Sequence, residues 1–185
     1  SWTAPVVDGG SVLTDYVVQY SSNSGTSWLT FTDGVSTVAS TTVTGLTNGT
    51  AYIFRVRAQN AAVLSTPSSS SSSVTPRTTP GAPTSLTGTR ADNSVTLSWL
   101  APSNNGGASI TDYAVEYSSN SGTSWTVFAD GTSSLTSTTV TGLTNGTAYI
   151  FRVRAQNSEG YSPYSTQSAS VTPRTVPDAP TGISA

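Results

Sequence analysis

These 185 residues contain no cysteine, histidine, lysine or methionine, and charged side chains are only 9% of the chain. An average soluble domain carries roughly 25% charge. Without cysteine there is no disulfide framework, so stability has to come from packing and hydrogen bonds. Without histidine, lysine or cysteine the usual bases and nucleophiles are missing, and nine carboxylates are left for proton transfer. None stands beside an obvious partner, so neither catalysis nor a cofactor is expected. The seven basic residues are all arginine and are scattered, with a net charge of −2. That excludes nucleic acid, whose phosphates require clustered cations. No apolar run reaches the roughly 18 residues of a membrane span, and no charged-then-apolar leader opens the sequence.

Solubility therefore rests on hydroxyls: 33 Ser and 33 Thr. The bias suits exposed β surfaces and glycosylated stalks, and both readings point outside the cell. The chain is also written twice. A shift of 97 residues makes 56 of the 87 positions in 2–88 identical to 99–185, without a gap. Thr41 to Asn60 recurs unchanged as Thr138 to Asn157. A fixed period of this size marks a tandem array of domains.

In the second copy Val95, Leu97 and Trp99 alternate with polar residues, as do Tyr113, Val115 and Tyr117, and Tyr149, Phe151, Val153 and Ala155. Period two predicts strands with one buried face. Gly-containing clusters with Asn, Ser, Asp or Glu at 104–107, 120–122, 130–131, 145–146 and 159–160 punctuate them as turns. Strands are predicted at 83–89, 94–99, 110–118, 124–129, 136–141, 147–157 and 166–172. Seven short strands in one repeat are the count for a β-sandwich.

Taken in order, these marks resemble the fibronectin type III domain. Pro83 precedes the first strand, Trp99 ends the second, and Tyr113, Val115 and Tyr117 form the third. Leu143 stands six residues before Tyr149. The resemblance implies an immunoglobulin-like sandwich cored by these residues with Phe151 and Val153. It also implies a tyrosine corner at Tyr149, whose hydroxyl bonds backbone in the preceding turn. The Asn-, Gly- and Thr-rich turns resemble bacterial versions of the family.

By this register residues 1–79 form a repeat lacking its first strand and most of its second. Residues 80–176 form a complete repeat, and 177–185 begin a third. Completion of the first copy by a strand from a neighbouring chain is a competing idea. The tail, however, supplies only the first strand. Pro76, Pro80 and Pro83 join the copies, and Pro173, Pro177 and Pro180 repeat the junction. Proline holds such junctions extended and stiff. A rod with about 30–40 Å per repeat is expected. The run Ser68 to Ser73 is read as an edge strand, because its counterparts Ser168 and Ser170 fall on the last strand.

Candidate sites are few. Asp8, Gly9, Gly10 and Asp15 make an oxygen-rich loop, but calcium needs six to eight oxygens and the second copy has Asn104 and Asn105 there. Arg152 and Arg154 should face outward on the sixth strand and Glu116 outward on the neighbouring third, a cross-strand charge pair as the first reading and a ligand-binding arginine patch as the second. Trp28 and Trp125 are read as packing over the sandwich edge, with stacking on sugars as the second reading. The copies differ most in their loops, where recognition would reside. Ala61, Ala62, Val63 and Leu64 form an apolar patch, and Glu159, Tyr161 and Tyr164 a polar-aromatic one. Asn48 and Asn145 begin Asn-Gly-Thr triplets, read first as turns and second as glycosylation acceptors.

The function expected is mechanical: a structural repeat module acting as a rigid extended stalk or fibre body, extracellular or on a cell surface. Its partners would be neighbouring repeats, other copies in a fibre, and an unidentified glycan or protein ligand. Two further readings are an adhesin-type module that binds sugar or protein through the variable loops, and a spacer in a secreted polysaccharide hydrolase.

Overall fold

Period-two alternation becomes paired antiparallel strands throughout a computed structural model that describes residues 1–182. The chain divides into two units, Ser1–Arg77 and Thr78–Ala185. Thr78 and Thr79 therefore group with the second unit, two residues ahead of the expected boundary. The N–H of Thr78 bonds the carbonyl of Gly106 at 2.9 Å, which ties that segment forward. Of the expected third-repeat start, Ile183 to Ala185 lie outside the described residues.

In the first unit β1 (Leu13–Ser21), β2 (Leu29–Thr30) and β3 (Ile53–Asn60) form one sheet in the order β2-β1-β3. The second unit holds β4 (Thr84–Ala91), β5 (Ser94–Leu100), β6 (Asp112–Ser118), β7 (Thr126–Phe128), β8 (Ser137–Thr141), β9 (Ile150–Asn157) and β10 (Gly160–Tyr161). Its two sheets, β4-β5-β8 and β10-β9-β6-β7, make the sandwich. Between them Val95, Leu97, Val115, Val140, Phe151 and Val153 are fully enclosed. Trp99 packs edge-on against Tyr113 with ring centroids 5.3 Å apart, and Tyr117 against Tyr149 at 5.9 Å. Leu143 is buried with them, and Tyr117 is partly buried.

Six of the predicted strands of the second copy appear, with ends displaced by up to three residues. The seventh, 166–172, does not, and Val171 makes only an isolated bridge to Tyr149. The reason lies in a serine at every third position. The N–H groups of Ser162, Ser165 and Ser168 bond the carbonyls of Ala155, Val153 and Phe151 at 2.8–2.9 Å. In return the N–H groups of those β9 residues donate to the three serine Oγ atoms at 2.9–3.2 Å. Each hydroxyl then donates to the carbonyl of the residue after it, at 2.7–2.8 Å. A three-residue repeat thus pairs with a two-residue repeat. Three per turn is the period of polyproline II, not of a pleated strand. The poly-Ser run follows the same rule through Ser65, Ser68 and Ser71, so it is neither a flexible tether nor a regular edge strand.

At the corner the N–H of Thr144 donates to the Tyr149 hydroxyl at 3.1 Å, and Thr47 does the same to Tyr52. Replacing Tyr149 with Phe removes the acceptor of that N–H in a part-buried, partly exposed turn, at a cost of about 1 kcal/mol. Urea denaturation of the variant should show the lower midpoint. An unchanged midpoint would mean that water replaces the hydroxyl.

Candidate functional site

Alternation along β9 puts Arg152 and Arg154 on the outer face of the second unit's four-stranded sheet, and β6 places Glu116 opposite Arg152. Arg152 Nε donates to Glu116 Oε2 at 2.8 Å, and the same carboxylate accepts from the Tyr164 hydroxyl through Oε1. The arginines are also layered between aromatic rings. Trp125 lies 4.1 Å and Tyr164 4.0 Å from the Arg152 guanidinium, and Tyr161 and Tyr164 lie 4.0 and 4.9 Å from that of Arg154. The stack runs Trp125, Arg152, Tyr164, Arg154, Tyr161. Each cation–π contact contributes about 0.5–2 kcal/mol, depending on how dry it is.

Burial of Glu116 disfavours its charge. Hydrogen bonds from Tyr164 and Arg152 and the charges of Arg152 and Arg154 outweigh that, and its pKa falls below the ordinary 4.5. Tyr164 moves the other way from 10.0, through burial and then its bond to the carboxylate. A lowered carboxyl pKa contributes stability that is present above the unfolded value and lost as pH falls through the folded one. A raised phenol pKa contributes below about 10 and is lost as pH rises further. Between pH 7 and 3 the second unit should therefore lose more stability than its Glu116→Gln variant, as read from urea midpoints at each pH. Equal losses would show that Glu116 is not the group responsible.

The expected cross-strand pair of Glu116 with the outward arginines is present, at Arg152, as part of a larger stack. Charge alternation did not reveal the role of Tyr161, which ends the short strand β10, or of Tyr164 in the segment after it. Their spacing of three, beside two arginines spaced by two, was the only available signal. The first unit has Gln19, Leu64 and Pro67 at the matching places. It keeps only Trp28 over Arg55, at 4.1 Å, and a bond from Arg55 Nε to Gln19. In both units, therefore, an arginine covers one face of the tryptophan.

The remaining candidates fall into turns. Ala61 to Val63 form an exposed turn whose N–H groups at Ala62 and Val63 bond Asn60 Oδ1 at 3.0 Å, and Leu64 pairs back to Gln59. Glu159 lies in the matching turn, its N–H bonded to Asn157 Oδ1. Asp8 accepts from the N–H of Gly10, and Asp15 from that of Ser36, as Asp112 does from Ser133. The two oxygen-rich loop carboxylates are thus engaged with backbone donors.

The junction prolines separate by environment. Pro80, Pro83 and Pro173 are buried, Pro76 is half-buried, and Pro177 and Pro180 are exposed. Pro80 and Pro83 belong to a clasp at the head of the second unit. There Gly81 N–H bonds the Asn104 carbonyl at 2.8 Å, and Asn157 Nδ2 donates to both Thr78 and Asn105 carbonyls at 2.8 Å. A Cβ added at Gly106 would lie 2.0 Å from the Thr78 oxygen. The turn has room for the incoming segment only because that residue is glycine.

A family model described as the fibronectin type III domain matches residues 1–75 and 81–171. Rat cardiac-type myosin-binding protein C is 32% identical over 160 residues, 86% of this chain and 13% of that protein. Drosophila titin is 30% identical over 176 residues, 92% of this chain and 1% of that one. The chain thus spans only a small part of these relatives. A crystal structure of domains A168–A170 from titin aligns over 85% of this chain and 54% of that one, with TM-score 0.54 and 24% identity, a likeness of fold. These relatives are animal proteins, which gives the bacterial flavour of the turns no support. They are also intracellular and sarcomeric, which overturns the expected extracellular or cell-surface placement. Hydroxyl-rich sequence specifies a wettable β surface, and that surface is equally usable in any aqueous compartment. By its matched repeats, its sandwich and its relatives, this chain belongs to the fibronectin type III domain family.

Proposed function

We propose that these structural repeats act as a stiff mechanical spacer within a longer protein. The observation that carries this reading is how little of the junction is free. The Pro76 carbonyl accepts from Gly49 inside the first unit, and Thr78 is clasped inside the second, so a single residue separates the two anchorages. Pro76 fixes its own φ just before that residue, and Pro80 favours extended backbone at Thr79. A contact-module reading has less support, because Tyr161 and Tyr164 stack on the arginines of their own sheet.

Distance measurement tests the spacer directly. The chain has no cysteine, so Ser22→Cys and Ser119→Cys place one label at matching exposed positions in each copy. A spacer gives a narrow distance distribution, broadened when Gly106→Ala disrupts the clasp. A native distribution as broad as that of a Gly/Ser tether would overturn the reading.

A further inference from the structure

The outer face of the arginine-bearing sheet is closed by the second unit's own side chains and left open in the first. In the second unit Glu116 accepts from Arg152 and from Tyr164, and the Tyr164 ring lies against the guanidinium groups of both Arg152 and Arg154. The first unit repeats the platform in the same register. Its β3 has the same sequence as β9, Gln19 stands opposite Arg55 as Glu116 does opposite Arg152, and Val17 opposite Arg57 as Ala114 does opposite Arg154. Trp28 covers one side of the Arg55 guanidinium at 4.1 Å, as Trp125 covers that of Arg152. Three replacements remove the rest. Gln19 for Glu116 carries no charge, and Leu64 and Pro67 for Tyr161 and Tyr164 carry no ring.

Both first-unit arginines are nevertheless held in place, half-buried, with Arg55 Nε on Gln19 Oε1 at 2.8 Å and Arg57 Nε on the Ser65 carbonyl at 2.7 Å. Among the described residues their terminal nitrogens find no acceptor, no carboxylate pairs with either, and no ring other than Trp28 lies over them. Asp15, the carboxylate on the same face of β1, is turned to the Ser36 N–H.

We propose that this face of the first unit binds an acidic, tyrosine-bearing segment of a partner protein, with a carboxylate on Arg55 and the ring against Arg55 and Arg57. Charge complementarity and the second unit's own arrangement choose this occupant. Two positioned guanidinium groups with open donors call for a carboxylate, which takes parallel hydrogen bonds from such a fork. Their flat faces call for a ring, and Tyr164 shows that one ring reaches two arginines spaced by two on this strand while its hydroxyl meets the same carboxylate. A purely acidic segment leaves those faces uncovered, and a purely apolar one strands the donors. The inference goes beyond the spacer reading, because it gives one repeat a contact surface that its near-copy fills from within.

The test uses the whole chain, labelled with nitrogen-15, and a capped peptide of sequence Gly-Ser-Glu-Tyr-Glu-Ser-Gly. At low salt the peptide should shift the Nε–H signals of Arg55 and Arg57 and the indole N–H of Trp28 in a saturable way, leave those of Arg152 and Arg154 in place, and bind more weakly as salt rises. Peptides with Gln for both Glu, or with Leu for Tyr, should each bind at least about tenfold more weakly. Arg55→Gln should weaken binding to the same degree, and so should Gln19→Glu with Pro67→Tyr, which supplies from within what the peptide brings. No shift at millimolar peptide, equal binding by the Leu peptide, equal binding by the chain carrying Gln19→Glu and Pro67→Tyr, or shifts confined to the second unit would each overturn the proposal.

Discussion

Truncating Phe151 to alanine is expected to destabilise the second unit by about 3–5 kcal/mol, while Phe54→Ala costs the first unit less than about 2 kcal/mol. The two residues lie at the same place in the identical stretches 41–60 and 138–157. Propensity, local hydrogen bonding and flanking residues are therefore matched, and only the tertiary surroundings differ. Phe151 is 0% exposed between two sheets. Its removal loses the transfer energy of the ring and leaves a cavity that β5 and β8 cannot close without leaving their pairing. Phe54 is half-buried in a unit whose described residues form a single sheet, and solvent or a neighbouring side chain can occupy the space. Chemical denaturation of both variants, followed by probes assigned to each unit, reads the difference. Equal costs would mean that the first unit is covered in solution.

Gly106→Ala is the second large effect, expected to cost about 2–5 kcal/mol through strain and lost hydrogen bonds together. At φ +72 an alanine is strained whatever its surroundings, and here its methyl would stand 2.0 Å from the Thr78 oxygen and 2.7 Å from that of Thr79. Both are backbone atoms that cannot rotate away. Either the turn distorts or residues 78–81 leave the clasp, giving up the bonds at Thr78, Gly81 and Asn157. Gly9→Ala is the internal control, with the same left-handed backbone at φ +74 but no carbonyl in the way. It should cost only the conformational strain of about 1–2 kcal/mol. Hydrogen exchange at Thr78 and Gly81 separates the two outcomes at Gly106, because release of the linker frees those amides while distortion of the turn alone does not.

Much of the fold was legible because its signals are local and were printed twice. Val95, Leu97, Val115, Phe151 and Val153 sit at period two, and a turn residue set follows each strand. The last strand was misread for the opposite reason. Ser162, Ser165 and Ser168 carry a period of three, which by residue type alone looks like loose, polar sequence. Its meaning appears only beside β9, whose N–H and C=O groups the serines satisfy. The stack on the sheet was half legible: strand alternation put the arginines and Glu116 outward on neighbouring strands, but their register, the short strand carrying Tyr161 and the loops carrying Trp125 and Tyr164 follow paths that local rules do not specify.

By itself the sequence determined the repeat, its β character, its core side chains and the glycine-marked turns, since each depends on spacing along one strand or on the conformational range of one residue. Tertiary structure alone decided that Phe54 and Phe151, identical in sequence context, have different surroundings. It also decided that Gly106 makes room for the Thr78 carbonyl and that Tyr164 joins Glu116 to two arginines. Burial and hydrogen-bond satisfaction belong to pairs of segments far apart in the chain, so an identical stretch can meet different environments in the two units.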